Sequence, residues 1–129
     1  MTIPRNPQDV HAPVADYVHQ MEVGPGGRWL ALSGQIGMRP DGTVPGDPVE
    51  QVSVALENLR RNLAAAGMDV SQLVKLTIYL VGDVDARARR EAVSGFLAGH
   101  LPCMTLLYVS ALANPALRVE IDGWAHSGS

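Results

Sequence analysis

Cysteine is almost absent from this chain, and long apolar runs are missing altogether. Cys103 is the only cysteine among 129 residues, which excludes a disulfide within the chain and a metal site built from several cysteines. No window approaches the roughly 18 apolar residues that a membrane-spanning helix needs, and the first residues contain no apolar segment of signal-peptide length. We therefore expect a cytoplasmic protein that has no membrane partner.

Positive charge is not in excess. The chain has 10 Lys and Arg residues against 13 Asp and Glu residues, which gives a formal net charge of -3. Because recognition of nucleic acid phosphates depends on clustered cations, we expect no nucleic acid partner. Two small basic groups, Arg60–Arg61 and Arg87–Arg90, are interpreted as solvated faces of helices.

Sequence motifs for metal binding or nucleophilic catalysis are also missing. The four histidines show no His-x-x-x-His or comparable spacing, so we predict no metal site. Ser33 lies in LSGQ and not in the Gly-x-Ser-x-Gly turn of serine hydrolases. Cys103 has no neighbouring base in the sequence and is interpreted as a small packed residue.

The remaining composition is that of one ordinary globular domain. Hydrophobic residues make up 47% of the chain and charged residues 18%. A chain of this length buries about two thirds of the surface that its unfolded form exposes. We expect a single domain over residues 1–129, in which residues 1–13, rich in proline and polar groups, form an irregular N-terminal arm.

Four segments have the composition of strands. Residues 17–23 and 28–36 flank the turn-forming string GPGG, which predicts a β-hairpin. Residues 73–81, LVKLTIYLV, form a nearly continuous apolar run that is typical of a central strand covered on both faces. Residues 105–112 and 117–125 are predicted as two closing strands.

The first of two predicted helices has clear end signals. Asp47 is the expected N-cap, Pro48 the first helical residue, and Gly67 the stop. Apolar residues recur between them at spacings of three and four, which places them on one helix face. They are Val52, Leu56, Leu59 and Leu63.

The second predicted helix begins after Asp83 or Asp85 and runs to about Gly99. Its apolar residues recur every four positions, which again predicts one buried face. They are Val84, Ala88, Ala92 and Phe96.

The predicted order β-β-α-β-α-β-β indicates an α+β fold. Each helix has only one apolar stripe, so both helices are expected on one face of an antiparallel or mixed sheet. In so short a chain, the other face is most easily covered by further copies of the chain. We therefore expect an oligomer.

Several strings, taken in order and at their spacing, resemble the Rid family, also called the YjgF family, of reactive-intermediate deaminases. The resemblance extends from about Tyr17 to Ala125 and depends on the ordered set, since each string alone is weak evidence. The strings are SGQIGM (33–38), ALENLRRNLAAAG (55–67), LVKLTIYLV (73–81), HLPCMT (100–105) and VEID (119–122).

The resemblance implies a YjgF-like (chorismate-mutase-like) homotrimer with ligand clefts between neighbouring subunits. It also implies hydrolysis of enamines or imines to a ketoacid and ammonia without metal or cofactor. The family pattern has an Arg two residues after the Pro that begins the penultimate strand, where it holds the substrate carboxylate. Here that Pro is Pro102, and the position is occupied by Met104.

Other site residues are carried over from the resemblance position by position. Tyr17 matches a tyrosine that lines the cleft, and Gly34 matches a glycine whose backbone approaches the ligand. Thr105 and Leu106 follow Met104 in the substrate-binding segment. Glu120 matches the carboxylate that positions the attacking water and is our predicted catalytic residue.

The residues alone leave simpler interpretations open. Glu120 alternates with apolar neighbours on a predicted strand, a pattern that by itself favours a carboxylate on a solvent face, whereas the family resemblance favours the catalytic role. Met104 is equally a flexible side chain that fills a gap in a subunit interface. Arg118 and Arg39 are the alternatives considered as replacements for the missing guanidinium.

Two functions follow from these expectations. The first is an enzyme that hydrolyses or tautomerises an enamine or imine other than the standard 2-imino acids, because loss of a charge-assisted contact at position 104 weakens carboxylate binding by roughly ten- to a hundredfold. The second is a non-catalytic trimer that binds an apolar small molecule or docks on a partner enzyme.

Overall fold

The computed structural model describes residues 1–128, which form six strands and two α-helices. The elements in chain order are β1 (Thr2–Arg5), β2 (Gln20–Val23), β3 (Arg28–Ile36), α1 (Pro48–Ala65), β4 (Leu73–Leu80), α2 (Ala86–Leu97), β5 (Cys103–Tyr108) and β6 (Val119–Ser127). A short 3-10 turn, Val70–Gln72, precedes β4.

The main sheet has four strands in the order β3-β6-β4-β5. β6 pairs antiparallel with both β3 and β4, whereas β4 and β5 are parallel, so the sheet is mixed. Both helices cover one face of this sheet, and their apolar side chains form the core with those of the strands. The predicted α+β fold is confirmed.

The first helix forms where its capping residues predict. The Asp47 side chain accepts a hydrogen bond from the Val49 amide, and Pro48 occupies the first helical position. Beyond the last residue, Gly67 has φ +70°, a conformation that other residues rarely adopt. The four apolar residues of the predicted stripe are all buried against the sheet.

The second helix is capped by Asp85, whose side chain accepts a hydrogen bond from the Ala88 amide. Val84 of the predicted stripe is buried, but within the helix the buried residues are Val93 and Leu97, one position after the predicted Ala92 and Phe96. Ala92 and Phe96 are only partly buried at the margin of the core. The buried residues Val93 and Leu97 are also four positions apart, so the predicted spacing holds within the helix and only its phase differs.

The N-terminal segment differs from the prediction in two ways. Residues 2–5, expected to be irregular, form strand β1, and β2 pairs with β1 instead of forming a hairpin with β3. β3 instead belongs to the main sheet, where its side chains Leu30 and Leu32 pack against the core. The backbone hydrogen bonds of the short, largely exposed strand β2 are made with β1. Arg5 of β1 also donates hydrogen bonds to the side chains of Gln20 and Glu22 in β2.

The face of the sheet away from the helices is called here the open face. Along β4, the side chains of Leu76, Ile78 and Leu80 enter the core, and those between them point to the open face. The expectation that this strand is covered on both faces is therefore met on one face only within a single chain. β5 lies at the sheet edge, so one side of its backbone has no strand neighbour among residues 1–128.

Candidate functional site

A cavity of about 400 Å³ lies between α2, the edge strand β5 and the segment before β2. This volume is within the range of small-molecule sites. The lining side chains come from three separate elements that the fold brings together. They are Val14, Ala15, Asp16 and Tyr17 of the N-terminal segment, Arg89, Arg90, Val93 and Ser94 of α2, and Ile78, Met104 and Leu106 of the sheet.

Three of the predicted substrate-binding residues meet in this cavity. Met104 and Leu106 occupy alternate positions of β5, so both side chains point toward the helices and pack at the margin of the core. Tyr17 is brought to them because the amide of Val18 donates to the carbonyl of Pro102 at 3.2 Å. The Tyr17 hydroxyl in turn accepts a hydrogen bond from the Val14 amide at 3.3 Å.

The other predicted residues lie on the open face. Glu120 of β6 is half-buried and lies beside Ile36 of β3 and Tyr79 of β4. Its carboxylate rests directly against the backbone of Gly34, where an added Cβ would approach the Glu120 Cδ to 2.6 Å. Gly34 falls in an irregularity of the β3–β6 pairing between Leu32 and Gln35. The sequence-predicted pair Glu120 and Gly34 is thus in contact.

A small polar group surrounds Glu120 on this face. The Tyr79 hydroxyl donates to the Asp122 carboxylate at 3.0 Å. That hydrogen bond, together with burial and the negative charges of Asp122 and Glu120, raises the pKa of Tyr79 above its ordinary value. Tyr79 therefore remains a neutral hydrogen-bond donor at neutral pH.

Thr105 also belongs to the open face and not to the cavity. The Lys75 ammonium donates to the Thr105 hydroxyl at 2.5 Å. The neighbouring Cys103 is half-buried, and burial raises the pKa of its thiol, although Lys75 partly offsets this. A raised pKa disfavours the reactive thiolate, which agrees with the interpretation of Cys103 as a packed residue.

Within one chain, the predicted site residues therefore lie on opposite faces of the sheet. Tyr17, Met104 and Leu106 line the cavity on the helix side. The open face carries Glu120, Gly34 and Thr105. Backbone pairing aligns Glu120 with Tyr79 and Tyr79 with Leu107 of β5, so the carboxylate lies two strands, about 10 Å, from the edge.

Sequence reasoning missed Arg89 and Arg90, which were expected to be solvated. Both line the cavity together with Met104. The available signal was their position within the first five residues of a helix, where a cation is unfavourable next to the positive end of the helix dipole.

The two arginines that were considered as replacements lie elsewhere. The Arg118 guanidinium donates to the backbone carbonyls of Val81 at 2.7 Å and Asp83 at 2.9 Å. Arg39 forms an ion pair with Glu50 at 2.6 Å. Neither residue lines the cavity, so neither places a cation beside Met104.

Residues 1–128 contain neither a group of side chains suited to a metal ion nor a helix suited to a membrane. No three or more His, Cys, Asp or Glu side chains are grouped in a way that suits a metal ion. No helix in this part of the chain has the length and apolar character needed to cross a membrane.

The α+β fold, with its mixed sheet and both helices on one face, matches that of solved Rid proteins. The chain belongs to the Rid, or YjgF, family: the family model described as Endoribonuclease L-PSP matches residues 8–127.

Curated relatives include enzymes of imine hydrolysis. A 2-iminobutanoate/2-iminopropanoate deaminase of Mus musculus is 37% identical over 103 residues, which cover 78% of this chain and 76% of that protein. Protein DfrA of Myxococcus xanthus is 38% identical over 103 residues, which cover 78% of both chains.

Solved structures agree over almost the full length. A Yersinia pestis protein, YyfB, described as a Rid family protein of unknown function, has a TM-score of 0.86 at 28% identity, covering 98% of both chains. The structure of E. coli TdcF with bound serine has a TM-score of 0.73 at 27% identity, covering 90% of this chain and 91% of that one.

Proposed function

We propose that this protein hydrolyses or tautomerises a small enamine or imine in clefts between the subunits of a homotrimer. The observation that carries the proposal is the contact between the Glu120 carboxylate and the Gly34 backbone on the open face. Membership of the Rid family and similarity to iminobutanoate deaminases support the reaction type. No metal or cofactor is required by this chemistry.

Glu120 acts as the general base in this proposal. It accepts a proton from water as the water oxygen bonds to the imine carbon. Both hydrogens of the water end on nitrogen, the carbon–nitrogen bond breaks, and ammonia leaves a ketone behind. The packing of Glu120 against Gly34 fixes the carboxylate, since no side chain intervenes between its oxygens and the β3 backbone.

A cleft shared by two copies follows from the division of the site. Glu120 lies on the open face, whereas Tyr17, Met104 and Leu106 line a cavity on the helix side of the same sheet. A substrate in one chain's cavity is separated from that chain's Glu120 by the sheet itself. The open face of a neighbouring subunit, placed against the β5 edge, supplies the missing carboxylate.

The apolar side chains that β5 contributes to the cavity favour the alternative, a non-catalytic binding trimer. Met104 and Leu106 replace polar or charged anchoring on β5 with thioether and aliphatic groups. Such a cavity holds an apolar ligand without chemistry. A Met104→Arg variant separates the two ideas, because ammonia release by this variant alone shows that the scaffold is competent and that the natural ligand differs.

The test is ammonia release from 2-imino acids, generated in situ from several amino acids by an amino-acid oxidase. Glu120→Gln keeps the size of the side chain and removes the base, so we expect turnover to fall roughly a hundredfold or more. Asp122→Asn, which removes a carboxylate from the same strand and face, is the matched control and should retain most of the activity.

Equal turnover by Glu120→Gln and the wild type would sink the proposed mechanism. Absence of turnover in the wild type and in Met104→Arg, with both proteins folded and oligomeric, would instead favour the binding trimer.

A further inference from the structure

We propose that Arg89 and Arg90 of α2 hold the anionic group of a small organic ligand whose apolar part lies against Met104 and Leu106. The inference rests on the proposed function only in treating this cavity as the substrate-binding half of the site. It assigns the anion to the helix side of the cavity, whereas the family pattern assigns it to the residue at position 104.

Arg89 has a polar atom that lacks a partner. Its Nε is buried and makes no hydrogen bond with any atom of residues 1–128. Buried N–H groups are nearly always paired, because leaving one unsatisfied costs free energy. Since this residue lines the cavity, an acceptor on a ligand in the cavity is the simplest partner for it.

Neither guanidinium is engaged by an acidic residue of the described chain. The ion pairs formed among residues 1–128 involve Arg5, Arg39, Arg60, Arg61 and Arg87. Asp16 lines the same cavity but forms no ion pair with Arg89 or Arg90. Two cations against one carboxylate give the cavity lining an excess of positive charge, which attracts an anion.

Their place on the helix argues against a purely stabilising role. Arg89 and Arg90 lie close to the N-terminus of α2, where the helix dipole disfavours positive charge. Arg87, on the same turn, is offset by an ion pair with Glu91. Arg89 and Arg90 form no ion pair that would compensate for the unfavourable interaction with the helix dipole. This is consistent with a role in binding a ligand.

The rest of the lining defines the ligand's other end. The same cavity is also lined by apolar side chains, namely Val93, Ile78, Met104 and Leu106. A planar guanidinium recognises carboxylates through two parallel hydrogen bonds. The matching ligand is therefore a small carboxylate with a branched aliphatic or similarly apolar tail.

The experiment measures equilibrium binding by isothermal titration calorimetry at low and high salt. The probes are the 2-oxo acid of leucine, which is not turned over, and the uncharged methyl ketone with the same isobutyl tail. The variants are Arg89→Gln, Arg89→Lys and the double variant of Arg89 and Arg90 to Gln. Arg87→Gln is the matched control, because this exposed arginine lies on the same helix outside the cavity.

We expect the wild type to bind the 2-oxo acid more tightly than the ketone, and added salt to weaken only the acid. Arg89→Gln should weaken binding of the acid by roughly ten- to a hundredfold, and the double variant further. Arg89→Lys should recover part of the loss. Arg87→Gln should stay within about twofold of the wild type, as surface ion pairs contribute little.

Unchanged affinity for the acid in the folded double variant overturns the inference, as does a wild type that binds the acid no better than the ketone. The outcome is independent of catalysis. Arg89-dependent binding without ammonia release upholds the inference and removes the hydrolase proposal. If the double variant still releases ammonia with the same KM, the hydrolase proposal stands and the inference about Arg89 and Arg90 is overturned.

Discussion

At Gly34, the addition of a single methyl group is expected to disturb the predicted general base. A Cβ at this position would lie 2.6 Å from Cδ and 2.7 Å from Cγ of Glu120, closer than real Cβ atoms come to other heavy atoms. The conflict is with the side chain of the predicted general base, so any relief moves that carboxylate. Glu120 can therefore occupy its position only because residue 34 has no side chain.

Gly34→Ala is expected to reduce ammonia release about tenfold or more and to destabilise the fold by about 1–3 kcal/mol, because the added methyl group overpacks a filled contact. Steady-state kinetics and urea unfolding measure the two effects. Gly46→Ala is the control, since a Cβ there meets nothing within 4 Å. Unaltered kinetics in Gly34→Ala would mean that the position of Glu120 does not matter for turnover.

Residue identities in the site were predictable only in part. The ordered motifs pointed to both Glu120 and Gly34, and the structure brings them into contact. The same motifs are silent about Arg89 and Arg90, which enter the cavity from a helix that lies outside the quoted strings. A side chain that reaches a site from a separate element leaves no spacing in the sequence for a motif to record.

At the scale of elements, local signals predicted the helices and failed for the N-terminal strands. Asp47, Pro48 and Gly67 fix the ends of α1 through bonds between near neighbours in sequence. Whether β2 pairs with β1 or with β3 depends on segments that are distant in sequence. The turn-forming string GPGG therefore does not predict that β2 pairs with β1. Strand pairing depends on tertiary contacts, whereas helix capping depends on residues that are close in sequence.

Gly95 offers a direct test of local helix energetics in α2. It is exposed, lies in the helix interior, and an added Cβ would meet nothing within 4 Å. Gly95→Ala should stabilise the protein by about 0.5–1 kcal/mol, because alanine loses less backbone entropy on folding. Thermal or urea unfolding of the two proteins measures the difference.

Gly99 provides the opposite case four residues later. Its φ of +89° is one that alanine adopts only under strain, so Gly99→Ala should destabilise the protein by about 1 kcal/mol or more. The same shift in both variants would show that α2 does not end near Leu97 as described.

At the scale of the whole molecule, the open face exposes large apolar side chains to solvent in a single chain. Trp29 and Trp124 are 53% and 50% exposed and meet edge to face, with ring centroids 6.2 Å apart. They border a shallow groove with Val74 and Lys75. Large apolar side chains grouped on a sheet face mark a contact surface, which supports assembly of further copies through this face.

Sedimentation equilibrium should give a mass of about three chains for the wild type. Trp124→Asp should shift the mass toward the single chain, because a charge replaces apolar surface that assembly buries. Val10→Asp, which alters an exposed apolar residue of the N-terminal segment, should leave the mass unchanged. A monomeric wild type would contradict the assembly and, with it, a cleft shared between subunits.

The alternation of side chains along β5 links ligand choice to assembly. Met104 and Leu106 turn toward the cavity, while Thr105 and Leu107 turn toward the open face. A slip of β5 by one residue against β4 would exchange the two sets, so that Met104 and Leu106 would leave the cavity and Thr105 and Leu107 would turn toward it. The pairing register of β5 with β4 therefore sets the ligand-facing surface and the assembly-facing surface together, and neither can change its register alone.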